Sequence, residues 1–256
     1  MDIELSHQAF HELWNHFQLG TKPLVLNALP VGISQSDREQ AERRAWDELR
    51  EHGIYDRDGA DDLYGLMLPL YRYQHAFDIT YRYLVGDEDR RKSGMVATSR
   101  CATTLGLMSA DTVRLASARS DGMVRALLSV LPEMNPGSGK GVSVRSSKFH
   151  AAAGNGDESN RALTEGLIRQ GVRRDDVRNL VDMAGTQRVA FAQFGASTMD
   201  SVGKRHRASM VTNCFATSKG WYLLEESKRG SEPWMTLAPV DKQRMSTRVQ
   251  DLLKAF

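Results

Sequence analysis

The stretch FDITYRYLV, residues 77 to 85, decides the fold. Phe77, Ile79, Tyr81, Tyr83 and Val85 alternate with Asp78, Thr80 and Arg82, the two-residue period of a half-buried strand. Three short strand-like runs come next, near residues 94 to 99, 102 to 108 and 111 to 117. The polar turns between them are too short for the crossovers that parallel strands need, so the four runs predict an antiparallel meander. Helices flank it. Ser6 can cap a helix over residues 7 to 18 that carries Phe10, Leu13, Trp14 and Phe17 on one face and stops at Gly20. After a loop with Pro23 and Pro30, Ser36 and Glu39 form a capping-box pair for a helix over 37 to 52 with a narrow stripe of Ala41, Ala45, Trp46 and Leu49. Gly53 ends it, and Asp61 or Asp62 opens a third helix through Leu63, Leu66, Met67 and Leu70. Beyond the meander, residues 120 to 131 predict a helix with Met123, Leu127, Val130 and Leu131 inward, terminated by Pro132.

Residues 132 to 141 (PEMNPGSGKG) have the composition of a linker, and the chain beyond them repeats the order of elements before them. Leu167, Gly171 and Val172 echo Leu49, Gly53 and Ile54; Met210 and Val211 echo Met95 and Val96. Val113, Leu115, Ala116, Met123, Leu127, Val130 and Leu131 correspond to Met235, Leu237, Ala238, Met245, Val249, Leu252 and Leu253. The offsets drift by a few residues, as loop insertions produce, which predicts an internal duplication with halves of about 1–135 and 136–256. The fold class is α+β: a central, largely antiparallel β-sheet flanked by helical bundles, the halves related by a pseudo-twofold axis.

The composition excludes several classes of function. With 256 residues and 41% hydrophobic content the chain can bury a core without staples. Thirty-four basic against 32 acidic residues leave a net charge of +2, which supplies no general field for gathering nucleic acid or anionic membrane. Two cysteines, Cys101 and Cys214, form no disulfide framework. Apolar runs such as 23 to 33 are too short to cross a bilayer, and Asp2 and Glu4 stand where a secretion signal needs positive charge, so a cytoplasmic globular protein is expected.

No motif carries catalysis or a metal. GSGKG at 137 to 141 lacks the first Gly of a phosphate loop, Met134 standing there, and the Ser or Thr after its Lys, Gly141 standing there. His7 and His11 lie four apart on a helix, but His16 is turned away from them and no third ligand completes a zinc set. There is no GxSxG, and both cysteines fall in strand-like runs where a small buried side chain is the usual role. Asp56, Asp58, Asp61 and Asp62 read as helix caps. Two basic turns remain, 86 to 93 (GDEDRRKS) and 197 to 207 (STMDSVGKRHR), at equivalent places in the two halves. Asp87, Glu88 and Asp89 dilute the first, which favours solvent or the polar rim of a protein interface over nucleic acid.

In the second half, AQFGAS at 192 to 197, the basic turn, TSKGWYLLE at 217 to 225 and PWMTLAP at 233 to 239 before a last amphipathic helix resemble the EspG family of chaperones associated with ESX (type VII) secretion. In the first half, Leu13, Trp14, Leu19-Gly20, Pro23-Leu24, the helix DREQAERRAWDELREHGI and Leu63 onward are similar to that family's N-terminal region, so the resemblance spans essentially the whole chain as one domain, 1–256. It implies a non-catalytic, cofactor-free cytosolic protein that binds a PE–PPE pair or a related helical hairpin, shields the apolar tip of the PPE partner and keeps the pair soluble for export. It implies a monomer or weak homodimer that binds no nucleic acid and does not insert into membrane. The family's binding surface, carried over by motif, points to Arg90, Arg91 and Lys92 on the hairpin, to Gln193 and Phe194 in the AQFG strand, and to Asn213 and Phe215 on the next strand. Where the family tends to show Asp-Thr-x-x-Gly-Arg-Tyr, residues 216 to 222 read ATSKGWY, so the acidic and Arg positions are lost and the client stays open. Nucleic-acid binding through the basic turns, and an enzyme whose site is dispersed in sequence, are the competing readings.

Overall fold

The computed structural model describes residues 1–29, 34–53, 57–153, 160–229 and 232–256. Strand β1 (Asp2–Ser6) leads into helix α1 (His7–His16), capped by the Ser6 hydroxyl, which accepts from the Ala9 amide at 3.1 Å. Trp14 is buried on this helix and its indole donates to the Gly20 carbonyl at 2.8 Å, tying down a turn in which Gly20 takes a left-handed φ of 66°. Helices α2 (Gln35–Glu51) and α3 (Arg57–Tyr71) complete the first bundle. A meander comes next: β2 (His75–Val85), β3 (Glu88–Thr98), β4 (Thr103–Met108) and β5 (Thr112–Ser117), closed by α4 (Met123–Leu128). The second part runs β6 (Val142–Arg145), α5 (Ser146–Ala153), α6 (Asn160–Arg169), α7 (Arg174–Ala184), β7 (Arg188–Met199), β8 (Arg205–Arg207), β9 (Thr212–Thr217), β10 (Gly220–Arg229), β11 (Glu232–Pro239) and α8 (Lys242–Asp251).

All the strands form one sheet, in the order β1-β5-β4-β3-β2-β7-β9-β10-β11-β6, with the short β8 beside β7; every pairing is antiparallel. Outward from the β2–β7 pair, both directions meet the first, second, third and fourth meander strands and then the strand that opens the half. The registers say where the centre lies. Matching Leu115-Ala116 to Leu237-Ala238 and tracing partners inward carries Leu105 onto Leu223, Val96 onto Cys214 and Ile79 onto Phe194. Ile79 and Phe194 face each other at the middle of the nine β2–β7 pairs, where a twofold axis belongs.

The alternation of β2 separates the two faces. Phe77, Ile79 and Tyr81 join a continuous apolar cluster that crosses both halves, with Phe194, Cys214 and Leu223 of the sheet and Leu127, Met245 and Val249 of α4 and α8. The opposite face is divided. Helices α1–α3 cover its N-terminal side through Phe10, Trp14, Leu49 and Met67, and α5–α7 cover its C-terminal side through Leu167, Val177 and Leu180. Burying a side chain of this size contributes about 1.5–3 kcal/mol, so these clusters set where the helices sit.

Several expectations shift by a turn or less. The capping box of α2 is Ser34 with Asp37, not Ser36 with Glu39, because Ser34 is the last extended residue (φ −88°, ψ 164°) and the other pair lies inside the helix. Helix α3 begins at Arg57, so Asp61 and Asp62 are internal rather than capping. Pro30, Ile54 and Asp56, and the side chains of Asp58 and Asp61, lie outside the described residues. The helix expected over 120 to 131 is a 3-10 turn (Ser120–Gly122) that leads into α4, with Val130 only partly buried. Met210 and Val211 precede β9, and the register sets Asn213 in the place equivalent to Met95. Strand β1 has no counterpart among the sequence-based expectations.

The larger correction concerns residues 132 to 141. Pro136 bridges to Trp221, the Trp221 amide donates to the Asn135 carbonyl and the Gly137 amide to the Trp221 carbonyl, at 2.9 and 3.0 Å. The Tyr222 hydroxyl donates to the Ser138 carbonyl, and a Cβ on Gly137 would overlap the Tyr222 ring. Linker composition here marks close backbone approach, which Gly permits, rather than freedom.

Candidate functional site

Between the two helical bundles no α-helix among the described residues covers the divided face, and the sheet residues there are polar. Thr80 stands opposite Gln193 across β2–β7, and Gln193 stands opposite Asn213 across β7–β9. The Gln193 amide nitrogen donates to Asn213 Oδ1 at 3.1 Å, with Gln193 exposed and Asn213 half-buried. Beside them Arg207 on β8 reaches over Gly195 to Asp78 and donates to both carboxylate oxygens at 2.7 and 2.9 Å. A Cβ at position 195 would overlap the guanidinium, so the glycine lets the pair lie on the sheet. Asp78 is 8% exposed, and the hydrogen bonds it accepts raise the Arg207 pKa further. Tyr73 and Ser197 share a hydroxyl–hydroxyl bond of 3.0 Å next to this pair.

At one end of this floor the β2–β3 hairpin runs past the sheet. Pairing of β2 with β7 stops at Tyr83–Ala190, and pairing of β3 with β4 begins only at Ser93, while β2 and β3 continue together to Val85–Glu88. The turn is Gly86 and Asp87 alone, with Gly86 at φ 61°. The basic residues expected in a turn therefore lie on a strand: Arg90, Arg91 and Lys92 oppose Tyr83, Arg82 and Tyr81. Arg90 pairs with Glu88 and Arg82 with Asp89, and Lys92 Nζ lies 5.8 Å from the Tyr83 ring centre. Arg91 is exposed with no ion pair among the described residues. The second basic turn likewise resolves into a turn at 200–204 and strand β8, with His206 paired to Asp200. Hydrogen bonds from His206 and the turn amides hold the Asp200 carboxyl below the usual range.

The remaining sequence candidates are core residues. Phe194 is 0% and Phe215 1% exposed; Phe194 packs in the continuous cluster and Phe215 against Tyr222, so neither ring reaches a partner on the surface. Their strand neighbours Gln193 and Asn213 point the other way or lie nearer the floor's centre, which is why they remain accessible. Leu84, Val85 and Val189, exposed at 38%, 55% and 40%, form an apolar fringe at the hairpin end that no sequence motif marks. Val189 sits at the register shift between Arg188 and Ala190, a bulge that no residue pattern announces.

Cys214 is buried and its thiol is pushed up to about 12 by desolvation, so it holds its proton at neutral pH; Cys101 is exposed in the β3–β4 turn rather than on a strand. The His7 ring bonds to the Ser109 carbonyl and His11 to Lys22. Among the described residues no three His, Cys, Asp or Glu are grouped to hold a metal, and no helix is long and apolar enough to cross a membrane.

A family model described as the EspG family matches residues 6–251 of the chain. Among solved structures, the Mycobacterium tuberculosis type VII secretion system chaperone EspG5, in complex with a PE25-PPE41 dimer, is similar at a TM-score of 0.75 and 15% identity, over 100% of this chain and 97% of that one. That likeness shows a shared fold. The extracellular domain of the putative histidine kinase soHK1S-Z6, at 10% identity over 98% and 93% of the two chains, has a TM-score of only 0.14 and bears on nothing here. No curated protein matches.

Proposed function

The chain belongs to the EspG family, and from that premise we propose that it is a cytosolic chaperone for a PE–PPE-type helical pair, covering the apolar tip of the PPE partner until export by type VII secretion. The observation that carries this is the family match over residues 6–251; the EspG5 structure with its PE25-PPE41 dimer supports it at the level of fold. The client sits on the unroofed floor of the sheet and against the β2–β3 hairpin. Leu84, Val85 and Val189 meet its apolar tip, Arg90, Arg91 and Lys92 form a charged rim, and Gln193 and Asn213 supply hydrogen bonds from the floor. Phe194 holds the strands from beneath, and Phe215 holds them on the floor's own face under the α5–α7 bundle.

Covering an apolar tip requires no bond to be made or broken, so the role is not enzymatic. The chain acts as one domain of two related halves, a reading supported by the matching strand order on either side of Ile79–Phe194. Co-expression with the PE–PPE pair encoded beside it should give one stable complex on size exclusion, of one or at most two copies of this chain. Arg91→Glu should weaken that complex, since it reverses a rim charge without touching the core. Failure to retain any neighbouring pair would falsify the proposal.

A further inference from the structure

On the N-terminal side of the floor two hollows of about 510 and 500 Å3 adjoin, sharing Tyr73 and Met199 in their walls. One opens at the Ser99–Cys101 turn, the other beneath the Thr21–Val25 loop. Leu68, Leu70, Met95 and Met199 make their lining largely apolar. Four guanidiniums also line them, and of these Arg72, Arg100 and Arg205 make no ion pair among the described residues. The carboxylates on the walls are already engaged: Asp78 with Arg207, and Asp200 with His206 and the amides of Val202 and Lys204. The Lys22 ammonium is likewise taken by His11 and the Ala28 carbonyl.

We propose that this double hollow is a docking groove for an acidic segment of a protein partner, one that sets carboxylates on Arg72, Arg100 and Arg205 and an apolar side chain over Leu68 and Met199. Charge complementarity chooses this occupant: three unpaired guanidiniums surround an apolar floor, and each presents a fork that matches a carboxylate with two parallel hydrogen bonds. Nucleic acid fits poorly. Tyr73 is 7% exposed with its hydroxyl committed to Ser197, which leaves Tyr71, 39% exposed and at right angles to Trp14, as a single ring where a run of bases needs several to stack on. The groove lies away from the hairpin but takes in Thr80 and Gln193 of the floor; its argument does not rest on the chaperone reading.

The test is fluorescence anisotropy with a labelled ten-residue peptide of alternating Glu and Leu, set against a Lys–Leu peptide and a ten-nucleotide oligo-dT. The Glu–Leu peptide should bind, less tightly as salt rises, and the combined Arg72→Glu, Arg100→Glu, Arg205→Glu variant should lose at least roughly tenfold in affinity. Arg205→Gln alone, on an exposed side chain that leaves the fold untouched, should lose a few-fold, and Arg125→Glu on the opposite face should change nothing. Capture of a PE–PPE pair by the natural chain reads the chaperone function by itself, whatever the peptide does, which separates failure of this proposal from failure of the chaperone reading. No binding of the Glu–Leu peptide, equal binding of the Lys–Leu peptide, binding undiminished by either groove variant, or tighter binding of oligo-dT overturns it.

Discussion

The two halves share a sheet register and differ in what each adds to it. In the first, β2 and β3 run on past the sheet as a hairpin with a two-residue turn; in the second, the chain leaving β7 doubles back as β8 before entering β9. The hairpin extends an apolar and basic fringe to one end, and β8 places Arg207 across the centre onto Asp78. Both additions fall on or beside the gap between the two helical bundles, so a near-symmetric scaffold presents an asymmetric surface. The bundles differ too: α1–α3 bury Phe10, Trp14 and the Leu-rich face of α3, whereas the only Phe of α5–α7 is the half-buried Phe149. Symmetry is kept where backbone pairing demands it and relaxed where side chains meet solvent or a partner.

The largest test of that contrast is Trp14→Ala, which removes a 1%-exposed indole and should cost about 3–5 kcal/mol in denaturant unfolding, against about half as much for Phe149→Ala. Equal losses would show that the bundles contribute equally. Gly137→Ala should cost about 3 kcal/mol because its Cβ overlaps the Tyr222 ring, and a cost under about 1 kcal/mol would mean that the connector between halves moves freely. Arg207→Ala strands the buried Asp78 carboxylate. A wholly buried pair broken this way loses about 3–5 kcal/mol; with Arg207 42% exposed, about 2 kcal/mol is expected, and Asp78→Asn in the same background should recover part of it.

The smallest effect is a pH dependence peculiar to the first half. Desolvation lowers the Lys22 pKa to about 8, whereas the unfolded chain holds that proton to its ordinary value near 10.5. Between these values the unfolded state binds more protons, so the penalty of burying the charge is full below about pH 8 and disappears as pH rises. Relative to a Lys22→Met variant, the melting temperature of the natural chain should therefore gain between pH 7.5 and 10; an unchanged difference would place Lys22 in solvent.

Much of the fold is legible in the sequence because it rests on periodicity. The alternation in FDITYRYLV marks β2, Ser6 caps α1, and the Leu-Gly pairs mark the ends of α2 and α6, with Gly53 and Gly171 at φ of 70° and 71°. The site is less so. Phe194 and Gln193 are adjacent in sequence and face opposite sides of the sheet, and nothing local says which side is roofed by helices. The basic cluster at 90 to 92 reads as a turn because its charges are polar-loop residues by composition, yet an exposed hairpin strand carries them equally well. Residues 132 to 141 mislead for the same reason, since Gly and Pro serve both freedom and close approach.

By itself the sequence determined the antiparallel meanders, their helical flanks, the repeated order of the halves and the family resemblance. These depend on nearest-neighbour spacing, capping and turn chemistry, which act over a few residues and leave a readable trace. Only the tertiary structure decided that one face of the sheet carries a continuous apolar cluster across both halves and that the cover of the other is parted. It alone decided that Arg207 lies on Asp78 across 129 positions, and that Arg72, Arg100 and Arg205 line two adjoining hollows. Those juxtapositions depend on strand order and on which helix covers which side, and pairings so distant in sequence leave no local pattern to read.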